Sequence, residues 1–211
     1  MRSHLVFVFA LLTFVPPILV GCKNSPPTRF YVLSAAADEA ATQPGGGVAI
    51  GVGPVVLPQY LSRPQIVTRT GANQLTVAEF DQWGGDLDDN VTRFLSANLA
   101  NLLGTERVSL YPWKDEAPID YQVTIDVIGF EQTSDGGSLL AVYWSVIEPS
   151  SGTVRLMRRS SYRDAGGAIP VAEAPSDETK HSTREARPYD AVVAAMSRNL
   201  GALSRDIASA I

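Results

Sequence analysis

The clearest helical pattern in the chain runs from Leu87 to Leu103, where apolar side chains recur every three or four residues. Asp86 precedes this run and suits an N-cap, because its carboxylate can accept the free N–H groups of the first turn. Asp88 and Asp89 then lie at the positive end of the helix dipole. Gly104 is a natural stop. We therefore expect a helix over residues 87–103.

A second helical pattern closes the chain. Val193, Met196, Leu200, Leu203, Ile207 and Ala210 follow one another at alternating steps of three and four residues. Pro188 stands before them, where its fixed φ suits a first helical turn. This seam is of heptad type, but for a helix of this length we favour packing on the protein's own sheet over a coiled coil. The predicted helix covers about residues 189–210.

The remaining apolar runs have the period of β-strands. A hairpin is indicated around Gly71-Ala72-Asn73, and glycine- or proline-rich turns at 136–137 and 149–152 join the last three strands into an antiparallel meander. The predicted fold is a single α+β domain in which a largely antiparallel mixed sheet packs with the two helices. The strand-like runs are 30–34, 48–58, 64–70, 74–80, 107–113, 121–133, 138–148 and 153–163.

The N-terminus has the pattern of a secretory signal. A short basic start is followed by an apolar run at 5–15, which is shorter than the ~20 residues that span a bilayer. The signal ends in Leu19-Val20-Gly21-Cys22, which resembles the lipoprotein box of bacteria. We expect residues 1–21 to be removed and Cys22 to carry a diacylglycerol and an N-acyl chain. The alternative is an ordinary signal peptide with an incidental or buried cysteine.

This interpretation divides the chain into the signal peptide at 1–21, a lipidated tether at 22–29 and one domain at 30–211. Lys23, rather than aspartate, follows the cysteine. By resemblance to enterobacterial sorting, Lys23 favours the periplasmic side of the outer membrane over the inner membrane.

Composition argues against several classes of function. The net charge of −5 gives no electrostatic footprint for nucleic acid. Of the two histidines, only His181 follows the signal, and it lies in a polar loop unsuited to a catalytic triad. Asp86, Asp88 and Asp89 lack EF-hand spacing, and there is no P-loop. We expect no enzyme activity, no metal and no cofactor beyond the lipid on Cys22.

Four arginines concentrate in one predicted strand, at Arg155, Arg158, Arg159 and Arg163. On a strand they are divided between two faces. Their simplest role is to protect an edge strand by charge. Contact with lipid headgroups or with an acidic partner is the alternative.

The order of motifs in the centre of the chain resembles the PqiC family of ABC-type transport auxiliary lipoproteins. The resemblance covers most of the mature chain and is densest from 50 to 130. The matching positions are Gly51-Val52-Gly53-Pro54, Leu57-Pro58, Tyr60-Leu61, Arg63-Pro64-Gln65-Ile66-Val67, Glu79-Phe80, Trp83 and Tyr111-Pro112-Trp113.

The resemblance implies a non-catalytic accessory subunit of an intermembrane lipid-transport system. Family members are outer-membrane lipoproteins that face the periplasm and partner with MCE-domain proteins, some of them coupled to an ABC transporter. The family is also similar to ring-forming proteins, so a homo-oligomer that docks the end of an MCE tunnel and supports membrane integrity is expected.

Tyr60, Arg63, Gln65 and Trp83 are the expected partner-binding residues, because tyrosine, tryptophan and arginine dominate interface energetics. The alternative is that the aromatic residues of this hairpin simply pack the core. Two other functions stay open. A stand-alone lipid- or solute-binding lipoprotein needs an apolar cavity of roughly 300–1,000 Å³. An envelope hydrolase needs titratable groups clustered in a cleft.

Overall fold

The computed structural model describes residues 26–34, 47–113, 118–165 and 189–211. The predictions for the signal peptide, Cys22 and His181 lie outside these ranges. In the described residues the chain forms one α+β domain with a mixed sheet of eight strands and two helices, as predicted. The elements are β1 (Arg29–Tyr31), β2 (Ile50–Val56), β3 (Gln65–Gly71), β4 (Gln74–Trp83), α1 (Leu87–Leu103), β5 (Val108–Leu110), β6 (Tyr121–Gln132), β7 (Ser138–Glu148), β8 (Thr153–Asp164) and α2 (Asp190–Ala208).

Strand β6 organises the sheet because it pairs with three other strands. Its long antiparallel pairing with β7 continues into β8 and forms the predicted meander. On its other side, β2 pairs in parallel along the first half of β6, and β3 joins through Thr68 and Gln132. The predicted β3–β4 hairpin is confirmed. Short parallel strands complete the sheet, with β1 beside β4 and β5 beside β2.

The two helices pack on one face of the sheet and on each other. The apolar seam of α2 is buried, with Leu203 and Ile207 at 0% exposure, and it faces the protein's own core as expected. The alternate residues of β7, such as Val142 and Trp144, supply the opposing wall at 1% exposure or less. Burial of a large apolar side chain contributes about 1.5–3 kcal/mol, so this layer is the main source of stability.

Helix α1 begins and ends at the predicted residues, but its predicted N-terminal cap is not formed by the carboxylate. Gly104 adopts the left-handed conformation with φ 58°, and its N–H closes the last turn. Asp86 occupies the N-cap position, but its carboxylate caps no N–H group. Its carbonyl oxygen instead accepts from the backbone N and Nδ2 of Asn90, at 3.0 and 2.9 Å. The prediction of a carboxylate cap is therefore wrong.

Candidate functional site

Three of the four predicted interface residues, Arg63, Gln65 and Trp83, lie at the end of the β3–β4 pair away from its turn. Tyr60 and Arg63 lie in the connection between β2 and β3, Gln65 opens β3, and Trp83 closes β4. The backbone N–H of Trp83 donates to the carbonyl of Pro64 at 2.7 Å, which joins the connection to the end of β4. The structure thus brings together Arg63, Gln65 and Trp83, which are up to 20 positions apart in the sequence.

Only part of this group reaches the surface. Arg63 is exposed and Gln65 is half-buried. Trp83 is 4% exposed and packs in the core, as the alternative interpretation held. Trp83 therefore supports the surface from beneath and does not itself touch a partner in this fold. Arg63 and Gln65 are the members available for direct contact.

Tyr60 is held by a buried carboxylate that the sequence analysis did not single out. Its hydroxyl donates to Glu131 Oε2 at 2.9 Å. Glu131 is 1% exposed and also accepts from Nε and Nη2 of Arg69 at 2.9 and 2.7 Å, and from the backbone N–H of Phe130. Burial, with the nearby charge of Glu131, raises the pKa of Tyr60 to about 12. The cluster ties Tyr60 of the β2–β3 connection to β3 and β6.

Strand β1 extends the same surface by one strand. Gln82 pairs with Gln65 of β3 on one side and with Phe30 of β1 on the other. Phe30 is 65% exposed and Val32 is 54% exposed, although Tyr31 between them is buried. Sequence analysis assigned this strand but not its outward residues. Phe30 and Val32 are exposed because β1 lies at the edge of the sheet, and its position there is not encoded in the local sequence.

A second ionic cluster ties β1 to β4. Nε and Nη2 of Arg29 donate to the two carboxylate oxygens of Asp81 at 2.6 and 2.8 Å, and the hydroxyl of Tyr31 donates to Oδ1 at 2.9 Å. Burial opposes ionisation of Asp81, but these hydrogen bonds outweigh it and hold its pKa below the usual range. Burial, followed by the hydrogen bond to Asp81, raises the pKa of Tyr31 to about 12. The exposed Phe30 therefore stands on a firmly attached strand.

Two glycines of the central motif, Gly51 and Gly53, are required because aromatic residues lie directly over them. A Cβ on Gly51 would lie 2.7 Å from the Trp113 ring, and one on Gly53 would lie 2.6 Å from Cβ of Tyr111. Gly53 also has φ 118°, which other residues rarely adopt. Tyr111 and Trp113 meet edge to face at 5.4 Å. The segment 111–113 therefore covers β2 and does not continue β5, which is shorter than the predicted 107–113.

A surface groove of about 1040 Å³ separates β1 from the end of β8, with α1 and α2 at its floor. Its lining mixes apolar side chains such as Phe30, Phe94 and Val193 with charged ones. Arg198, 55% exposed, forms a bidentate pair with Asp164, with both distances 2.7 Å. The volume suits a lipid or solute, but the groove is open and partly polar where a carrier would enclose its ligand.

The arginines of β8 are divided between the two faces of the sheet, as predicted. Arg158 lies over the buried Trp144 at 5.7 Å, and Arg159 lies over the exposed Tyr143 at 6.0 Å. Arg155 pairs with Glu148 at 2.7 Å. Within the described residues β8 pairs only with β7, so it is an edge strand. The division of charge between faces gives no concentrated basic patch.

The described residues contain no group of three or more histidine, cysteine, aspartate or glutamate side chains that could hold a metal ion. A search of the described helices for one long and apolar enough to cross a membrane also finds none. A patch of exposed or half-buried residues runs across the ends of β3, β4 and β1 and consists of Arg63, Gln65, Gln82, Phe30 and Val32. We call it the β1–β3 surface.

Comparison with known proteins places these observations in a family. The model of the ABC-type transport auxiliary lipoprotein component family matches residues 31–208. No curated protein matches the chain. Among solved structures, protein XCC0632 from Xanthomonas campestris, of the DUF330 family, is 15% identical with a TM-score of 0.65, covering 86% of this chain and 93% of its own.

Two further structures complete the comparison. An uncharacterised protein is 18% identical with a TM-score of 0.63, covering 87% of this chain and 98% of its own. A PelC dodecamer from Paraburkholderia phytofirmans is 12% identical, covering 86% and 95%, but its TM-score of 0.40 is too low to support an argument. At these identities the first two show a shared fold and nothing about ligands or partners.

Proposed function

The chain belongs to the family of ABC-type transport auxiliary lipoprotein components, and from that premise we propose that it is a non-catalytic subunit of an intermembrane lipid-transport system. In this proposal the domain is anchored to the periplasmic side of the outer membrane and docks the tunnel of an MCE-domain protein, in support of membrane integrity. The observation that carries it is the family match over 31–208, together with a site that offers contact surface.

The anchor in this proposal is Cys22, whose sulfur takes a diacylglycerol and whose new amine takes an acyl chain. Several acyl chains are needed because one alone gives only marginal membrane binding. Cys22→Ala should remain unprocessed and leave the outer-membrane fraction on a sucrose gradient. Lys23→Asp is the matched variant that keeps the thiol and should move the protein to the inner membrane. Outer-membrane recovery of Cys22→Ala would refute the anchor.

The partner surface in this proposal is built around Arg63 and Gln65, with Tyr60 and Trp83 holding them in place. Arg63 is exposed, Gln65 is half-buried, and Phe30 close to them is exposed. Arginine together with an aromatic residue is typical of the centre of an interface. Other copies of the same chain are the second expected partner, in a ring-forming homo-oligomer.

The test is cross-linking in the envelope, gentle solubilisation, affinity capture of the tagged lipoprotein and mass spectrometry. Wild type should recover an MCE-domain protein and untagged copies of itself. Arg63→Glu should lose most of the MCE protein, and Arg93→Glu, an exposed arginine on α1, should not. Equal recovery by both variants would remove Arg63 from the interface. Failure of the wild type to recover any MCE-domain protein would overturn the partner proposal.

A stand-alone lipid- or solute-binding lipoprotein is the second candidate, and the groove between β1 and β8 favours it. A carrier should co-purify with about one lipid per chain and release it on contact with acceptor vesicles. Native mass spectrometry of the purified lipoprotein separates the two functions. A bound phospholipid without any MCE partner would support the carrier.

A further inference from the structure

Two large apolar side chains stand exposed at the place where the tether enters the domain. Phe30 lies in β1, which is an edge strand, and Val32 follows directly after the end of β1 at Tyr31. Both residues line the groove between β1 and β8. Their exposures of 65% and 54% are among the highest for large apolar residues in the described chain. The residues just before them, 26–28, are exposed and outside regular structure.

The proposed lipid anchor limits how far these side chains can lie from the bilayer. Phe30 follows Cys22 by eight residues. A chain of that length spans at most about 28 Å, and its root-mean-square reach is about 16 Å if it is flexible. An anchored binding group of this kind has an effective concentration of about millimolar at the membrane. A weak apolar contact that would not hold a free protein on a bilayer is then sufficient to orient an attached one.

The charges around the pair suit a shallow contact. Arg163, Arg198 and Arg205 line the groove beside Phe30, together with Asp164 and Asp190. Val32 also lies close to Gly84, shortly before the acidic start of α1, since a Cβ on Gly84 would lie 2.9 Å from Cγ1 of Val32. The mixed charges give no strong attraction to an anionic surface, so the contact depends on the two apolar side chains.

We infer that Phe30 and Val32 rest in the interfacial layer of the membrane that holds the Cys22 anchor, and so set the orientation of the domain. This inference rests on the proposed lipid anchor. A bilayer is favoured over a protein occupant because the tether brings a bilayer to this strand in every anchored copy. The contact would hold the sheet end that carries Arg63 and Gln65 close to the membrane, one or two strand spacings from Phe30.

The experiment uses the full mature lipoprotein reconstituted in vesicles of phosphatidylethanolamine and phosphatidylglycerol that contain acyl chains with a doxyl quencher. Cys22 is the only cysteine in the chain, and acylation occupies its sulfur, so an introduced thiol is unique. An environment-sensitive nitrobenzoxadiazole label is attached to Val32→Cys. The matched control is the same label on Met157→Cys, a position on β8 that is 70% exposed.

The label at position 32 should shift to shorter wavelength in vesicles and be quenched several-fold more strongly than the label at position 157. Adding Phe30→Asp to the Val32→Cys variant should abolish the difference. Val77→Asp, at a 41% exposed position on β4, should leave it intact. Equal quenching at positions 32 and 157, or none at either, would overturn the inference.

Two outcomes separate this inference from the proposals on which it depends. If the wild type carries no acyl chains and does not float with vesicles, the anchor itself fails and the orientation fails with it. The second outcome is a protein that floats with vesicles, has the mass of an oligomer in detergent, and already shields the label at position 32 in detergent. In that case a second copy covers Phe30, and the membrane contact is refuted.

Discussion

Glu131 shows how a single buried charge can organise a surface. Its carboxylate lies almost entirely out of water and is compensated by Arg69, Tyr60 and a backbone N–H. Burying a charge is costly unless it is paired and hydrogen-bonded. The three donors come from the β2–β3 connection, β3 and β6, so satisfying this one group fixes all three segments.

Arg69→Met should therefore destabilise the domain by about 3 kcal/mol, because it leaves Glu131 buried without its cation. The loss of stability should be near the lower end of the range for a broken buried ion pair, because the Arg69 side chain is 30% exposed and water can partly solvate Glu131 after its removal. Urea unfolding measures the change. Arg93→Met, at an exposed position on α1, should change stability by no more than about 0.5 kcal/mol. A loss for Arg69→Met no larger than for Arg93→Met would contradict this account of the cluster.

Asp81 gives the domain a pH dependence with a definite sign. Its pKa in the folded protein is below the ordinary value of 3.8, so the stability it contributes is present above that pH and is lost as pH falls through the folded value. The free-energy gap between wild type and Asp81→Asn should be largest near neutral pH and shrink below about pH 4. Unfolding curves at several pH values measure it.

The control for Asp81 is Asp126→Asn, which removes an exposed carboxylate from β6. Its gap to wild type should be small throughout. If the gap for Asp81→Asn widened as the pH fell, the assigned direction of the pKa shift would be incorrect.

At the scale of elements, β2 and the segment 111–113 form one unit through close contact between glycine and aromatic rings. The absence of side chains on Gly51 and Gly53 lets Trp113 and Tyr111 lie directly on the strand. The backbone N–H of Tyr111 also donates to the carbonyl of Val52 at 2.9 Å. The glycine motif at 51–53 and the aromatic motif at 111–113, about sixty residues apart in the sequence, therefore pack directly against each other.

Gly51→Ala should destabilise the domain by about 1–3 kcal/mol, because the new methyl group overlaps the Trp113 ring and Ile119. The same substitution in a Trp113→Ala background should cost clearly less, since the main obstacle is gone. Chemical unfolding of all four proteins gives the coupling energy, which should exceed about 0.5 kcal/mol. Additive losses would mean that Trp113 does not lie on Gly51 in solution.

Sequence periodicity predicts these elements better than their arrangement. Alternation in β6, the apolar run of β7 and the turn before β8 gave these three strands almost to the residue, because β6 and β7 each bury side chains in the core and short turns join the three. The parallel pairings of β1, β2 and β5 connect segments far apart in the chain, and no local pattern encodes them. The outward position of Phe30 and the end of β5 at Leu110 both depend on such pairings.

The candidate site shows the same limit. Arg63 and Gln65 reach the surface, but Trp83, a residue type equally common in interfaces, is buried in the hydrophobic core. Composition selects residues that suit either a core or an interface, and only tertiary contacts decide between them. Arg69 and Glu131 could not be paired from sequence, because 62 positions separate them.

At the scale of the whole molecule, one sheet end combines every feature that the proposed function uses. Phe30 and Val32 are exposed there, and Arg63 and Gln65 lie within two strands of Phe30. The helices occupy the other face of the sheet and contribute stability. In the proposed function this end of the sheet holds a partner in place, which agrees with the auxiliary role in transport of the family.

The most direct test of this account is the rate at which isotopically labelled phospholipid exchanges between the inner and outer membranes of cells that lack the protein. The account predicts an altered rate that wild type and Arg93→Glu restore. It predicts that Cys22→Ala and Arg63→Glu do not restore the rate, although they are present at equal amounts. An exchange rate that is unchanged by loss of the protein would contradict a role in lipid transport.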